Sequence, residues 1–120
     1  MIGDPQPAGD ICDTRDVTTS IDQNNRNVGN LLNEKGVTWG WFQGGFRNCA
    51  QSHANMASVV SKDYIPHHEP FQYYASTANP DHLPPTSPDA TGKQDTANHP
   101  YALTAVWPAV GTQNMPAVSY

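Results

Sequence analysis

Residues 27–46 constrain the fold most, because they combine a capped helix with a strand that is apolar on both faces. Asn27 suits the N-cap of a helix from Val28 to Lys35, and Gly36 suits the position just past its end. Val37–Phe42 is then predicted to be a strand. Its two faces carry Val37, Trp39 and Trp41 on one side and Thr38, Gly40 and Phe42 on the other. Apolar groups on both faces are typical of a buried strand of an α/β sheet.

The C-terminal residues are predicted to repeat this helix–strand pattern. Tyr101–Val106 has the pattern of a helix, with Pro100 at its first position. Pro108 would then end the helix at Trp107 or kink it, because an interior proline removes a hydrogen bond. Ala117–Tyr120 is predicted to be a second buried strand, parallel to Val37–Phe42 and close to it, with the residues between them as the crossover.

The loop content suggests that the chain is one partial domain. It has 120 residues, and its 11 prolines and 9 glycines predict much irregular structure. We expect loop at 1–26, helix–strand at 27–46, a loop-rich segment that contains the candidate site at 47–100, and helix–strand at 101–120. Such a long irregular stretch indicates a segment of a larger α/β fold.

Charge and hydropathy exclude two classes of partner. The formal net charge is −5, from 11 acidic and 6 scattered basic residues, so the basic stripe of a nucleic-acid binder is missing. No apolar run approaches the length of a membrane span. Met1–Pro5 does not resemble a signal peptide, so the sequence as it stands is expected to remain in the cytoplasm unless an upstream segment precedes it.

His67-His68-Glu69, between Pro66 and Pro70, is the strongest candidate site. Imidazoles donate, accept or bind metals near neutral pH, and the prolines stiffen the backbone around them. A site that faces an anion or a metal is one interpretation, and a surface loop with solvated histidines is the other. Glu69 is a candidate to orient an imidazole. His53 and His82 are each predicted to be solvated, and no histidine spacing supports a zinc site.

Three blocks in this order resemble the bacterial phosphoesterase family, which contains secreted acid phosphatases and phospholipases C. The blocks are Trp39-Gly40-Trp41-Phe42, His67-His68-Glu69-Pro70-Phe71 and Asn98-His99-Pro100-Tyr101. The family belongs to the alkaline-phosphatase-like superfamily. The resemblance implies that the chain is a segment of an alkaline-phosphatase-like parallel sheet with a long loop-rich insertion.

The resemblance also implies roles for three histidines. His67 and His68 match paired catalytic histidines that face the phosphate, where they would donate hydrogen bonds or protonate the leaving alkoxide. Tyr73 is a candidate substrate-binding residue on other grounds, because its ring could line a pocket for an apolar or aromatic ester, and packing in the core is the other interpretation. His99 matches a family position and is the second candidate for substrate binding. Pro100 and Ala102 depart from the family pattern, which favours a structural or capping role for His99.

The family's remaining catalytic parts are expected outside this chain. The sequence has no Asn/Glu-rich metal motif and no pair of adjacent acidic residues, so we assign no metal ligand here. The divalent metal and the Ser or Thr nucleophile implied by the resemblance would lie on either side of this stretch.

Cys12 and Cys49 are too few for a zinc knuckle. They could form one disulfide in an oxidising compartment or remain two thiols in a reducing one. The resemblance implies a secreted or periplasmic protein, which favours the disulfide.

Two functions from different classes follow. The first is part of a phosphoric ester hydrolase that acts on phosphomonoesters or phospholipids, with the remainder of the parent fold as a partner. The alternative is a non-catalytic fragment or stand-alone binding module that lacks the metal and nucleophile motifs, and the chain alone is expected to be inactive.

Overall fold

The computed structural model describes residues 4–14, 17–21 and 24–120, and it is an α/β fold with short elements. The strands are β1 Gln6–Pro7, β2 Thr18–Thr19, β3 Trp39–Gln43, β4 Ser52–Ala54, β5 Val60–Lys62, β6 Pro100–Ala102 and β7 Val118–Ser119. The helices are α1 Val28–Glu34 and α2 Val106–Gly111, and single 3₁₀ turns connect several of these elements. None of the helices within these residues is long and apolar enough to cross a membrane.

The central sheet is parallel and has the order β6-β3-β7. Trp41 of β3 pairs with Pro100 of β6, and Trp39 pairs with Val118 of β7. The prediction that Val37–Phe42 and Ala117–Tyr120 form parallel neighbouring strands is therefore confirmed, although both strands are shorter than their sequence patterns. The prediction that the second strand is buried is wrong, because β7 lies at the edge of the sheet with Val118 half-buried and Ser119 exposed.

Helix α1 is built as its sequence predicts. The Asn27 side chain accepts from the Asn30 N–H, and the Asn30 side chain accepts from the Asn27 N–H, which closes a reciprocal cap. Gly29 faces the ring of Trp39, which is fully buried in β3. The helix therefore covers the first residue of the central strand.

The predicted helix at Tyr101–Val106 is wrong. Pro100–Ala102 forms strand β6, Leu103–Ala105 forms a 3₁₀ turn, and the helix begins only at Val106. Pro108 consequently lies in the first turn of α2, where backbone N–H groups have no partner within the helix. Neither a stop at Trp107 nor a kink is needed.

The segments predicted as loop contain two small additional sheets. β1 and β2 pair in parallel within 1–26, and β4 and β5 form an antiparallel hairpin within 47–100. A disulfide joins Cys12 to Cys49, with their Cα atoms 5.3 Å apart. It connects the N-terminal segment to the residues that lead into the hairpin.

Candidate functional site

His67 and His68 lie in a single 3₁₀ turn, Pro66–His68. The residue before each flanking proline, Ile65 and Glu69, is extended, as the proline ring requires. The two imidazole centroids are 4.4 Å apart with the rings near perpendicular. His68 is exposed and His67 is half-buried, so the turn presents imidazole to solvent.

Glu69 anchors this turn to the central sheet. Its side chain is fully buried, and Oε1 accepts from the Phe71 N–H at 2.9 Å. Oε2 accepts from the side-chain amide of Gln43 at 3.2 Å. Gln43 is the last residue of β3, so the histidine turn is held beside the carboxyl end of the central parallel strand. Ligands of open α/β sheets bind at that edge.

Burial changes the protonation of Glu69. Loss of water raises the pKa of this carboxyl group to about 8, although the bond from the Phe71 N–H lowers it, and the charge of Asp10 raises it further. Below that pH the group is predominantly a neutral acid.

His99 lies at the opposite, amino end of β6. Its ring is buried and stacks on Trp39 with centroids 4.0 Å apart, and its Nδ1 lies 2.8 Å from the Trp39 carbonyl oxygen. Burial lowers the pKa of His99, which outweighs the opposite effects of that hydrogen bond and of the Asp95 charge. The placement fits a packing role, and substrate contact by His99 stays a prediction.

The hydroxyl of Tyr73 donates to the Pro5 carbonyl at 2.7 Å. This bond connects the residues after the histidine turn to the N-terminal segment. Binding of substrate by Tyr73 also stays a prediction.

A buried polar network lies elsewhere, around Asp10 and His82. The prediction that His82 is solvated is wrong, because only 3% of the residue is exposed. Its Nε2 lies 3.0 Å from Asp10 Oδ2, and the same oxygen accepts from Tyr64 at 2.5 Å and from Gln72 at 2.8 Å. By contrast, His53 lies on the exposed hairpin, where it pairs with Asp63 at 2.7 Å.

Two groups in this network have shifted pKa values. Burial alone would raise the pKa of Asp10, but the contacts from His82, Tyr64 and the Cys12 N–H lower it overall. Burial raises the pKa of Tyr64, and its bond to Asp10 raises it further. Asp10 is therefore held as a carboxylate inside the protein.

Local sequence carried some signal for the missed residues. The Asp10 side chain accepts a hydrogen bond from the Cys12 N–H at 2.8 Å. Aspartate side chains commonly form such a turn with the backbone N–H two residues further along the chain. Gln43 is a polar residue at the end of a predicted parallel strand, where ligand sites are common. For His82 we find no local signal, because its partners are distant in sequence.

The residues near the histidine turn do not fit a divalent metal centre. In the described part of the chain, one group of three potential ligands is close enough to share a metal, namely Cys12, Cys49 and His82. In this structure the two cysteines of that group are joined as a disulfide.

A histidine turn fixed at the carboxyl edge of a parallel sheet defines an α/β domain with a candidate site at that edge. The sequence pattern of the Phosphoesterase family matches residues 2–120, and the chain therefore belongs to the phosphoesterase family. This membership indicates a phosphoric ester hydrolase with phosphate esters as its substrates. No curated protein gives a significant match to the sequence.

Proposed function

We propose that the chain forms part of a hydrolase of the acid phosphatase or phospholipase C type, in which His67 and His68 face the phosphoryl group. The contact between Gln43 and Glu69 carries this proposal, because it fixes the histidine turn beside the carboxyl end of β3. Of the two rings, His68 is exposed to solvent and His67 is half-buried.

The chemistry proposed for the turn needs only its own side chains. An imidazolium donates hydrogen bonds to phosphoryl oxygens, which stabilises the charge that develops there during transfer. Either ring, when protonated, would also serve as the acid for a leaving alkoxide. A neutral, buried Glu69 is compatible with phosphate binding, because it places no carboxylate charge beside the turn to repel the phosphate.

We propose that the metal of the family is held by residues outside this chain. A divalent ion there would supply activation of the nucleophile and stabilisation of phosphoryl charge. The residues described around His67 and His68 supply no ligand set for it.

We also propose that the protein is secreted or periplasmic. The Cys12–Cys49 disulfide supports an oxidising compartment, because cytosolic thiols are kept reduced.

Single alanine variants test the proposal in the enzyme that contains this stretch. His67→Ala or His68→Ala should lower turnover by about 10²–10⁴-fold for at least one of them, the usual contribution of a positioned acid. His53→Ala is the matched control, because His53 is also exposed but lies on the hairpin. Rates on an aryl phosphate monoester and on a phospholipid would distinguish the two enzyme types.

Near-normal turnover in both single variants and in the double variant would contradict the assignment of these histidines. A folded parent protein that hydrolyses neither substrate, with divalent metal present, would favour the alternative of a non-catalytic binding module.

A further inference from the structure

A cleft opens at the carboxyl end of β6, and neither His67 nor His68 lines it. Its volume is about 370 Å³, within the range of sites for small organic molecules. Ala102, the last residue of β6, contributes to the lining, as do residues of the 3₁₀ turn and of α2 that follow this strand. The cleft therefore lies where ligands of α/β sheets bind, but it is not the histidine turn.

Much of the wall of this cleft is rigid and apolar. Four prolines line it, namely Pro84, Pro85, Pro88 and Pro108. Each proline ring fixes its own backbone, so the wall is largely formed before a ligand arrives. A preformed wall reduces the ordering that binding would otherwise cost. These residues suit the apolar body of a small ligand, such as a single hydrocarbon ring.

Arg47 gives the cleft a positive charge. Its exposed side chain forms no ion pair with any residue that the structure describes. None of the described lining residues is an aspartate or a glutamate, although the chain has 11 acidic residues. Asp95 approaches through Thr86, but its Oδ2 already accepts from the N–H and the hydroxyl of that residue. The charge therefore favours an anion, and a guanidinium binds a carboxylate or phosphoryl group through two N–H donors.

Thr91 adds a buried hydroxyl group without a partner. This residue follows the 3₁₀ turn Pro88–Ala90, lines the cleft, and is only 2% exposed. Its Oγ1 makes no hydrogen bond within the described part of the chain. Buried polar atoms are nearly always paired, so an unpaired hydroxyl beside a cleft indicates a site for a polar ligand group. An anionic oxygen would accept the hydrogen bond that this hydroxyl can donate.

We propose that this cleft binds a small organic anion. Its carboxylate or phosphoryl group would meet Arg47 and Thr91, and its apolar ring would lie against the prolines. The exposed hydroxyls of Ser87 and Thr104 line the same cleft and can donate to the same group. This binding requires no hydrolysis and no part of the histidine turn, so it is independent of the function proposed above.

Titration of the chain with phenylphosphonate, followed by the NMR signals of the Thr91 and Thr104 amides, tests the proposal. This probe carries one ring and one anionic group, and its carbon–phosphorus bond is not a phosphate ester. We expect a Kd of about 1 mM or tighter, as for other ligands of this size. Phenylacetate, with the same ring, shows whether a carboxylate binds more tightly than a phosphoryl group. Binding of either anion supports the site, and binding of neither would overturn it.

Two further probes separate the contributions of charge and ring. Benzyl alcohol keeps the ring without the charge, and methylphosphonate keeps the charge without the ring. Each should bind at least about 10-fold more weakly than phenylphosphonate, because each lacks one of the two sets of contacts. Binding of benzyl alcohol as tight as that of phenylphosphonate would contradict an anion site.

Single variants then identify the binding residues. Arg47→Gln should weaken the binding of phenylphosphonate by about 10-fold or more, the usual effect of losing a hydrogen bond to a charged group. Lys93→Gln is the matched control, because it removes the same charge from a residue that lines another cleft. Thr91→Val should weaken binding by about 10-fold without lowering stability, because the hydroxyl loses no hydrogen bond in the described structure. Equal affinities of the Arg47→Gln and Lys93→Gln variants would refute the role of Arg47.

The double variant His67→Ala/His68→Ala distinguishes this site from the histidine turn. It should bind phenylphosphonate normally, because neither histidine lines the cleft. Loss of binding in this variant, with normal binding by Arg47→Gln, would assign the probe to the histidine turn. That result would overturn the cleft proposal and leave the proposed function intact.

Discussion

Glu69 and Asp10 are buried acids that respond to pH in opposite directions. Asp10 receives donors from a histidine, a tyrosine and a backbone N–H, so its charged form is favoured and its pKa is lowered. For Glu69, the hydrogen bond from the Phe71 N–H does not offset the loss of water on burial, so the pKa of Glu69 is raised. Asp10 therefore contributes stability that is lost as the pH falls through its folded pKa, whereas Glu69 contributes stability that is lost as the pH rises.

The variant Glu69→Gln should remove the loss of stability that the titration of Glu69 causes as the pH rises. The pKa of Glu69 rises from 4.5 to about 8 on folding, so the folded state retains a proton that the unfolded chain loses between these values. Its contribution is complete below about pH 4.5 and gone above about pH 8. The stability of wild type relative to the variant should therefore fall from pH 5 to pH 8. Urea unfolding at several pH values measures this, and a constant difference would show that Glu69 does not titrate in this way.

Among the elements, α1 depends on a close contact with the central strand. A Cβ on Gly29 would lie 2.2 Å from Cζ2 of Trp39, and that ring is held between His99 and Phe71. Gly29→Ala should therefore destabilise the protein by about 1–3 kcal/mol through overpacking.

Gly111→Ala is the control for this prediction, because a Cβ there meets nothing within 4 Å at the end of α2. It should be neutral or stabilise by up to about 1 kcal/mol. Urea denaturation of both variants tests the pair. Equal stabilities for the two variants would mean that α1 does not pack on Trp39 as closely as described.

The sequence predicted correctly the elements whose start, apolar pattern and end are all marked by neighbouring residues. Asn27, the apolar spacing and Gly36 together predicted α1, and the two-faced apolar pattern predicted β3 and its parallel partner. Pro100–Ala102 instead pairs with β3, a long-range interaction that the local pattern did not reveal. Because β6 is an edge strand, it also tolerates the missing N–H of Pro100.

For the candidate site, the sequence predicted the histidine turn itself but not its position in the fold. The prolines around His67-His68 marked a stiff polar turn from sequence alone. Its position beside the sheet depends on the contact of Glu69 with Gln43, and the burial of His82 depends on Asp10 and Phe46. Such contacts join residues that no periodicity relates, so only the fold reveals them.

At the scale of the whole molecule, cross-links hold together elements that are too short to be stable alone. The N-terminal segment is attached through the Cys12–Cys49 disulfide, the bond of Tyr73 to Pro5 and the network around Asp10. Removal of one of these connections should therefore affect the global unfolding transition as well as the local structure.

Reduction of the disulfide should lower the free energy of unfolding by about 3–4 kcal/mol. The two cysteines are 37 residues apart, and opening a loop of that length restores this much chain entropy to the unfolded state. Urea titrations with and without reductant measure the loss, and the same titrations of a Cys12→Ala/Cys49→Ala variant should show no effect of reductant. Mass measurement after alkylation reports the pairing directly. Two alkylatable thiols in exported, unreduced protein, or an unchanged unfolding midpoint on reduction, would contradict the role of this cross-link.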